Sequence, residues 1–276
     1  MNYNTPLEAV EIITQNGVNK VTYSFFKTFL LGILAGLMIA LGGDAYITVT
    51  HAMDNVSVAR MLGGAVFSVG LVSIVLTGCE LLTGSALNVL GISTGKINWL
   101  DFLKNVVYVL IANALGAGIL AVSVFYMHHL DASSGKLGAY AIKLAVGKIH
   151  LGFGEALVSG IWCNVLVCLA IMMAVASRDV AGKVLAIYFP ISTFVICGFE
   201  HSVANMFYLP LGLLAKSQPA YVAMAEKLYG MTEAQISSLT LLHCITDNLV
   251  PVVLGNLIGG SLVVAGTFFY TLKKIK

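Results

Sequence analysis

The chain has 276 residues, of which 58% are hydrophobic and only 10% are charged, and its mean hydropathy is +0.92. Soluble domains carry roughly 45–50% apolar and about 25% charged residues, so these charged side chains are too few to cover a water-facing surface. The net charge of +2 provides no basic field for nucleic acid. The composition argues against a soluble enzyme, a nucleic-acid-binding protein and a disordered chain, and it predicts an integral membrane protein surrounded by the lipid bilayer.

The N-terminal segment, residues 1–24, has apolar residues at helical spacing and lacks the apolar core of a signal peptide. It predicts a short amphipathic helix lying along the membrane face. After it come six stretches that are long and apolar enough to cross about 30 Å of hydrocarbon, which takes about 20 residues. They cover residues 25–49, 61–92, 106–127, 151–176, 184–214 and 245–272.

The second and fifth of these stretches are too long for straight helices. They have 32 and 31 residues, and at 1.5 Å per residue each straight helix would measure roughly 47 Å. Each also carries glycine and polar residues near its middle, at 77–85 and 198–202. A broken helix at each place accounts for both features, because irregular backbone at membrane depth is tolerated where protein or a water-lined cavity surrounds it. A long, tilted helix with a kink is the alternative.

The two halves of the chain repeat one another. A Gly-x-Glu triplet at 78–80 recurs 120 positions later at 198–200, and an Asn-x-x-Gly motif at 113–116 recurs 143 positions later at 256–259. In the first and fourth spans the small residues align as Gly32 with Ala156 and Gly36 with Gly160.

Three spans per half is an odd number, so the second half must be inserted upside down relative to the first. The prediction is a single all-α membrane domain, residues 1–276, with six transmembrane helices in an inverted 3+3 repeat (25–127 and 151–272) and with the second and fifth helices broken. Inverted repeats with paired discontinuous helices place a permeation site between the halves near the midplane. This favours a transporter or channel over an enzyme or a membrane anchor.

Positive charges predict the orientation. Nine lysines and arginines fall on one side of the six spans and six on the other, and the richer side faces the cytoplasm. That side includes Lys273, Lys274 and Lys276. Both termini are therefore expected in the cytoplasm, in a multi-pass protein of the cell (plasma or inner) membrane.

Longer motifs identify a family. The segment at 198–207, Gly-Phe-Glu-His-Ser-Val-Ala-Asn-Met-Phe, and the segment at 245–251, Ile-Thr-Asp-Asn-Leu-Val-Pro, resemble signatures of the formate/nitrite transporter family. The Gly-x-Glu-Leu-x-Thr run at 78–83 and the Gly-Ile-x-x-Asn run at 160–164 match as well. The resemblance extends from about Gly17 to the end of the chain.

The resemblance implies an aquaporin-like protomer, a homopentamer with one pore per subunit, and passage of small monovalent anions or their neutral acids: formate, nitrite, hydrosulfide and, in some branches, acetate or lactate. Protons would be the other transported partner. The implied cytoplasmic constriction is Phe67, Leu71 and Phe194, and the implied outer constriction is Leu82 with Val167. Between them would lie Leu81, Thr83, Asn164 and His201, and the entrance lysines would be Lys20 and Lys148.

Four polar residues of the two broken segments have expected physical roles. Glu80 and Glu200 are expected to brace the broken helices by accepting backbone N–H bonds, because a half-helix N-terminus favours negative charge. His201 and Thr83 offer hydrogen-bond donors to the solute, and an imidazole is suited to deliver a proton near neutral pH. Whether His201 protonates the solute, only donates a hydrogen bond, or simply packs between helices is open at this stage.

Other substrates and other functions are alternatives to a formate channel. This chain has Leu82 where formate channels commonly show phenylalanine, so nitrite or hydrosulfide is an alternative substrate. A water or polyol pore would suit the broken helices, but neither break carries an Asn-Pro-Ala triplet. The sequence lacks a His-Glu-x-x-His metal motif, which argues against an intramembrane hydrolase. A structural subunit would not need two repeated breaks. No cofactor or metal is expected.

Overall fold

The computed structural model describes residues 3–273, so the predicted cytoplasmic lysines Lys274 and Lys276 lie outside the described residues. Within that range the chain is helical apart from its turns, and π-helical segments (Cys244–Leu249 and Gly259–Gly266) connect the last helices. The helices are α1 (Pro6–Val21), α2 (Phe25–Thr50), α3 (Val56–Phe67), α4 (Val69–Thr77), α5 (Leu82–Ser85), α6 (Val89–Ser93), α7 (Trp99–Tyr126), α8 (Ala132–Ile149), α9 (Phe153–Ala176), α10 (Val180–Cys197), α11 (Ser202–Lys216), α12 (Pro219–Tyr229), α13 (Glu233–Ser237), α14 (Leu241–His243), α15 (Val250–Ile258) and α16 (Thr267–Lys273).

Six segments of the described chain are long and apolar enough to cross a membrane, which confirms the predicted all-α membrane fold. The third begins earlier than the sequence predicts, because Asn98 caps α7 by accepting a hydrogen bond from the backbone N–H of Asp101. The spans are Phe25–Thr50, Val56–Thr77, Trp99–Tyr126, Phe153–Ala176, Val180–Cys197 and Leu241–Thr271.

Both predicted breaks are present. The helix before the first break ends at Thr77 and the next begins at Leu82, while the second break lies between α10 and α11. Gly78 (φ +74°) and Gly198 (φ +75°) end the two preceding helices in the left-handed conformation, which glycine adopts without the steric cost of a Cβ atom. A Cβ would meet no neighbour within 4 Å at either position. The backbone conformation, rather than lack of space, therefore requires glycine, and the alternative of one kinked helix is wrong.

The first break is held in place by Asn113, a fully buried residue of α7. Its Nδ2 donates to the backbone oxygens of Gly32 (2.8 Å) and Glu80 (2.9 Å), and its Oδ1 accepts from the N–H of Leu82 (2.9 Å). One amide side chain thus joins α2, the break and the half-helix that follows. These bonds satisfy backbone groups that the broken helix leaves without partners.

The second break repeats this arrangement around Asn256 of α15. Its Nδ2 donates to the backbone oxygens of Gly160 (2.8 Å) and Glu200 (3.0 Å), and its Oδ1 accepts from the N–H of Ser202 (2.9 Å). Each of the three bonds corresponds to one in the first half. The two repeats predicted from the sequence therefore share one scaffold.

The register of the first and fourth spans differs from the predicted one. Because Gly32 and Gly160 accept equivalent bonds, the two spans correspond at an offset of 128 residues, rather than Gly32 with Ala156. Lys20 and Lys148 are also 128 residues apart. The predicted alignment was wrong because small residues recur at every helical turn of both spans and do not define a unique register.

Glycine also permits the close packing within each half. A Cβ on Gly116 of α7 would lie 2.0 Å from the backbone oxygen of Ile33, and one on Gly259 would lie 2.2 Å from that of Ile161. These glycines are 143 residues apart and bring each third span directly against its first. That contact places Asn113 and Asn256 within reach of the breaks.

Candidate functional site

Between the two breaks lies a small cavity, here called the central chamber. Its lining is apolar except for one imidazole and consists of Ile39, Phe67, Leu71, Leu81, Val167, Ile191, Phe194 and His201. The residues come from both repeats, as expected for a site at the interface of two inverted halves.

On one side the chamber adjoins a vestibule of about 360 Å³ that contains Lys148, here called the Lys148 vestibule. Phe67, Phe194 and His201 line both cavities. The two phenyl rings meet edge to face, with centroids 5.6 Å apart and planes at 85°, a favourable aromatic arrangement. The aromatic pair therefore forms the partition between this vestibule and the chamber.

On the other side lies a vestibule of about 640 Å³ that contains Lys20, here called the Lys20 vestibule. Leu71 and Leu81 line both this vestibule and the chamber. Two buried leucines thus form the second partition.

This grouping differs from the constrictions implied by the family resemblance. Phe67 and Phe194 were expected with Leu71 on the side of Lys20, but they line the Lys148 vestibule. Phe67 and Leu71 are four residues apart, about 6 Å along the helical segments that carry them, so they lie at different depths. Val167 lines the chamber itself.

Leu82 was expected at a constriction and instead lines none of the three cavities in the described part of the chain. The reason is local. Leu81 has an extended backbone (φ −111°, ψ 130°), and successive side chains of an extended segment point in opposite directions. Since Leu81 faces the chamber, Leu82 faces away from it and is fully buried.

The predicted polar pair is brought together, although only His201 lines the chamber and Thr83 lines none of the three cavities described. His201 Nε2 lies 3.2 Å from Thr83 Oγ1, and both side chains are buried. His201 Nδ1 accepts a hydrogen bond from the N–H of Ala204 (3.1 Å) and so caps α11. Because Nδ1 is an acceptor, a neutral imidazole carries its proton on Nε2. That N–H points towards Thr83 Oγ1, and an oxygen atom of a solute could replace this hydroxyl oxygen as the acceptor.

Asn164, also expected between the constrictions, has a different position. It is fully buried, and its Nδ2 donates to the backbone oxygens of Thr83 (3.1 Å) and Asn256 (2.6 Å). Its amide thus donates to one backbone oxygen in each repeat, and Asn164 lines none of the cavities described. Asn164 therefore fixes the backbone of Thr83 rather than facing the chamber.

Lys148 and Glu200 form a buried ion pair, with Nζ and Oε1 2.7 Å apart. Glu200 Oε2 accepts from Asn205 (2.6 Å) and Asn248 (3.1 Å). Glu200 was expected to accept backbone N–H bonds, whereas its carboxylate accepts bonds from side chains. The counterpart in the first repeat is Lys20 Nζ to Glu80 Oε1, at 3.1 Å.

Sequence reasoning missed Asn205, Tyr208 and the partnership of Lys148 with Glu200. Tyr208 lines the Lys148 vestibule, and its ring centroid is 5.5 Å from Lys148 Nζ. It follows His201 by seven residues, two helical turns, so the helical period placed both on one face of α11. That period was the available signal.

Comparison with known proteins assigns this arrangement to a family. A family model described as formate/nitrite transporter matches residues 7–270. The chain belongs to the formate/nitrite transporter family. The formate channel FocA of Escherichia coli (strain K12) is 34% identical over 268 residues, which cover 96% of this chain and 93% of the relative. FocA of Haemophilus influenzae is 33% identical over 262 residues, covering 94% and 91%.

Solved structures agree with this membership. A pentameric formate channel with formate bound has a TM-score of 0.83 and 35% identity, over 91% of this chain and 98% of that one. An aquaglyceroporin from Plasmodium falciparum has a TM-score of 0.51 at 14% identity, over 90% and 100%, which shows the aquaporin-like fold alone. Membership in a transporter family also favours transport over the intramembrane hydrolase considered above.

Proposed function

We propose that this protein is a channel for formate and other small monovalent anions or their conjugate acids, with one pore in each subunit of a homopentamer. The observation that carries the proposal is the central chamber, where apolar side chains surround the imidazole of His201 between two vestibules that each contain a lysine, and where that imidazole contacts Thr83. Similarity to a solved pentameric formate channel with formate bound supports both the substrate and the assembly.

The partitions favour a neutral solute over a charged one. An ionised side chain at the centre of a membrane helix costs about 2.5–3.5 kcal/mol on insertion scales, and the phenyl rings and leucines here offer an anion no compensating hydrogen bond. The Nε2–H of His201 is the donor that a solute meets in the chamber. We therefore include proton coupling through His201 in the proposal: the imidazole takes a proton from the vestibule water, passes a proton to the solute and returns to its neutral form, and the solute releases that proton to water when it leaves as the anion.

The experiment is flux through proteoliposomes that contain the purified protein. Formate, nitrite, hydrosulfide and glycerol are compared at equal gradients, with empty liposomes as the control. Formate flux above nitrite and hydrosulfide supports the proposal. Faster nitrite or hydrosulfide flux would assign the pore to that substrate, and glycerol flux equal to formate flux would refute selection for an acid.

The membrane arrangement is also part of the proposal: one domain over residues 1–276 in the cell membrane, with both termini in the cytoplasm. The excess of lysine and arginine on the side of the termini supports this orientation. Labelling of single cysteines introduced at position 4 and position 217 in intact cells tests it. A membrane-impermeant reagent should reach only position 217, and labelling at position 4 would refute it.

A further inference from the structure

The two repeats hold their buried carboxylates in different ways. In the second repeat Glu200 has a partner at each oxygen: Lys148 at Oε1, and the amides of Asn205 and Asn248 at Oε2. A buried carboxylate with its oxygens satisfied in this way retains its charge and its position.

In the first repeat Glu80 has Lys20 alone. Its side chain is fully buried, one oxygen lies 3.1 Å from Lys20 Nζ, and among the described residues neither oxygen accepts a hydrogen bond of good geometry. A buried ion with unsatisfied oxygens is costly. Glu80 is therefore held by a single electrostatic contact.

The missing bonds trace to two sequence positions. Ser85 stands where the second repeat has Asn205, and it donates to a main-chain oxygen of its own helical turn (3.2 Å). Asn105 corresponds to Asn248, but its Oδ1 accepts from Asn88 (3.2 Å), and Glu80 accepts no hydrogen bond from its amide. Neither residue supplies the donor that its counterpart supplies to Glu200.

The position of the pair gives it access to solute. Lys20 lies in the last turn of α1, its side chain is 27% exposed, and it lines the Lys20 vestibule with Glu80 behind it. The other titratable or charged side chains that line this vestibule are Tyr23, Cys79, Arg178 and Lys183. In the described part of the chain no carboxylate lines it, so an anion there meets a basic surface, and the buried carboxylate of Glu80 lies 3.1 Å from the Lys20 ammonium.

We propose that Lys20–Glu80 is a displaceable ion pair, and that a small monovalent anion binds Lys20 together with a proton on Glu80. This inference rests on the proposed function. An anion at Lys20 Nζ would place two negative charges around one ammonium in a poorly hydrated site, and protonation of Glu80 from the vestibule water removes the repulsion. The neutral carboxylic acid also needs fewer hydrogen bonds than the carboxylate. By linkage, anion binding and proton uptake favour one another.

The second repeat behaves as the opposite case. Glu200 keeps three partners whether or not an anion is near, so Lys148 remains paired. Proton-linked anion binding is therefore confined to the Lys20 side of the pore.

The test is calorimetric titration of the purified pentamer in detergent with sodium formate, in two buffers of different ionisation enthalpy. The difference between the buffers gives the protons taken up per formate bound. The wild type should take up a measurable fraction of one proton and Glu80→Gln should take up none. The matched double variant Lys148→Met/Glu200→Gln, which removes the second pair without leaving one of its charges buried and unpaired, should retain the wild-type value. Equal uptake by Glu80→Gln and the wild type, or no formate binding or proton uptake in the wild type, would overturn the inference.

A second variant guards against misfolding of Glu80→Gln. Lys20→Gln removes the cation and should abolish proton-linked formate binding, and its retention would also overturn the inference. Flux in proteoliposomes separates the two proposals. Proton-linked binding without formate flux would refute the channel function alone, whereas flux without linked proton uptake would refute this inference alone.

Discussion

Replacement of Lys148 by methionine should destabilise the protein far more than replacement of an exposed lysine on the same helix. The ammonium lies 2.7 Å from Glu200, and the two side chains are only 12% and 7% exposed. Removing one partner of a buried pair costs about 3–5 kcal/mol, because the other charge stays buried without compensation. The two amides on Oε2 keep Glu200 in place but supply no positive charge.

The double variant Lys148→Met/Glu200→Gln separates the charge from the loss of packing. Replacing both members of a buried pair is often nearly neutral, so the double variant should recover most of the loss. Lys143→Met is the matched control, since this exposed lysine of α8 contacts the Tyr229 ring (4.4 Å) and no carboxylate within salt-bridge distance in the described chain.

The measurement is thermal unfolding of the detergent-solubilised protein. At about 2–4 °C per kcal/mol for a chain of this size, Lys148→Met should lower the midpoint by roughly 10 °C, with a much smaller change in the double variant and the control. Two results would show that the lysine does not compensate the buried charge of Glu200: a midpoint of Lys148→Met equal to that of the control, or a double variant as unstable as the single one.

Three further predictions concern flux in proteoliposomes. Lys143 lines the Lys148 vestibule and is exposed, so it is expected to attract anions to that mouth. Lys143→Gln should therefore lower formate influx more at 0.1 M than at 1 M salt, because the Debye length falls from about 10 Å to about 3 Å; an equal loss at both would exclude attraction by this lysine. Phe194→Ala should raise lactate flux relative to formate by roughly tenfold, equivalent to about 1.4 kcal/mol of barrier, and an unchanged ratio would refute a steric role for the ring. His201→Asn cannot carry a titrating proton, so the rise of formate flux from pH 8 to pH 5 should flatten while the pore stays open. The same pH profile as in the wild type would refute proton coupling through His201.

The sequence predicted the breaks correctly because their signal is local. Glycine and a buried acid at 78–80 and 198–200 cannot continue an apolar helix, and they recur at a fixed offset. The depth of each constriction residue could not be predicted in the same way. Whether Leu81 or Leu82 faces the chamber depends on the backbone conformation of one extended residue, which the residue types do not encode.

Pairings between distant residues were equally hidden. Lys148 and Glu200 are 52 residues apart, and each had a satisfactory local interpretation, as an entrance lysine and as a helix brace. The place of Asn164 in the structure differs from the predicted pore-lining place for the same reason. An amide on a membrane helix can face a pore or bond to a neighbouring backbone, and only the contact of α9 with the first break decides between them.

The scaffold bonds of the two repeats match, yet the chamber they enclose is asymmetric. Leu81 and His201 are 120 residues apart, occupy equivalent places at the two breaks and both have extended backbones. An inverted repeat sets equivalent residues on opposite sides of the midplane, so one side presents an apolar side chain where the other presents an imidazole. His201 lines both the chamber and the Lys148 vestibule, whereas Leu81 lines the chamber and the Lys20 vestibule. Under the proposed function, a solute from the Lys148 side meets the hydrogen-bond donor at the aromatic partition, and a solute from the Lys20 side meets it only after passing the leucines. A proton is therefore needed at different points for influx and for efflux. This difference is the physical reason to expect the displaceable ion pair, in which Glu80 takes up a proton, on the Lys20 side.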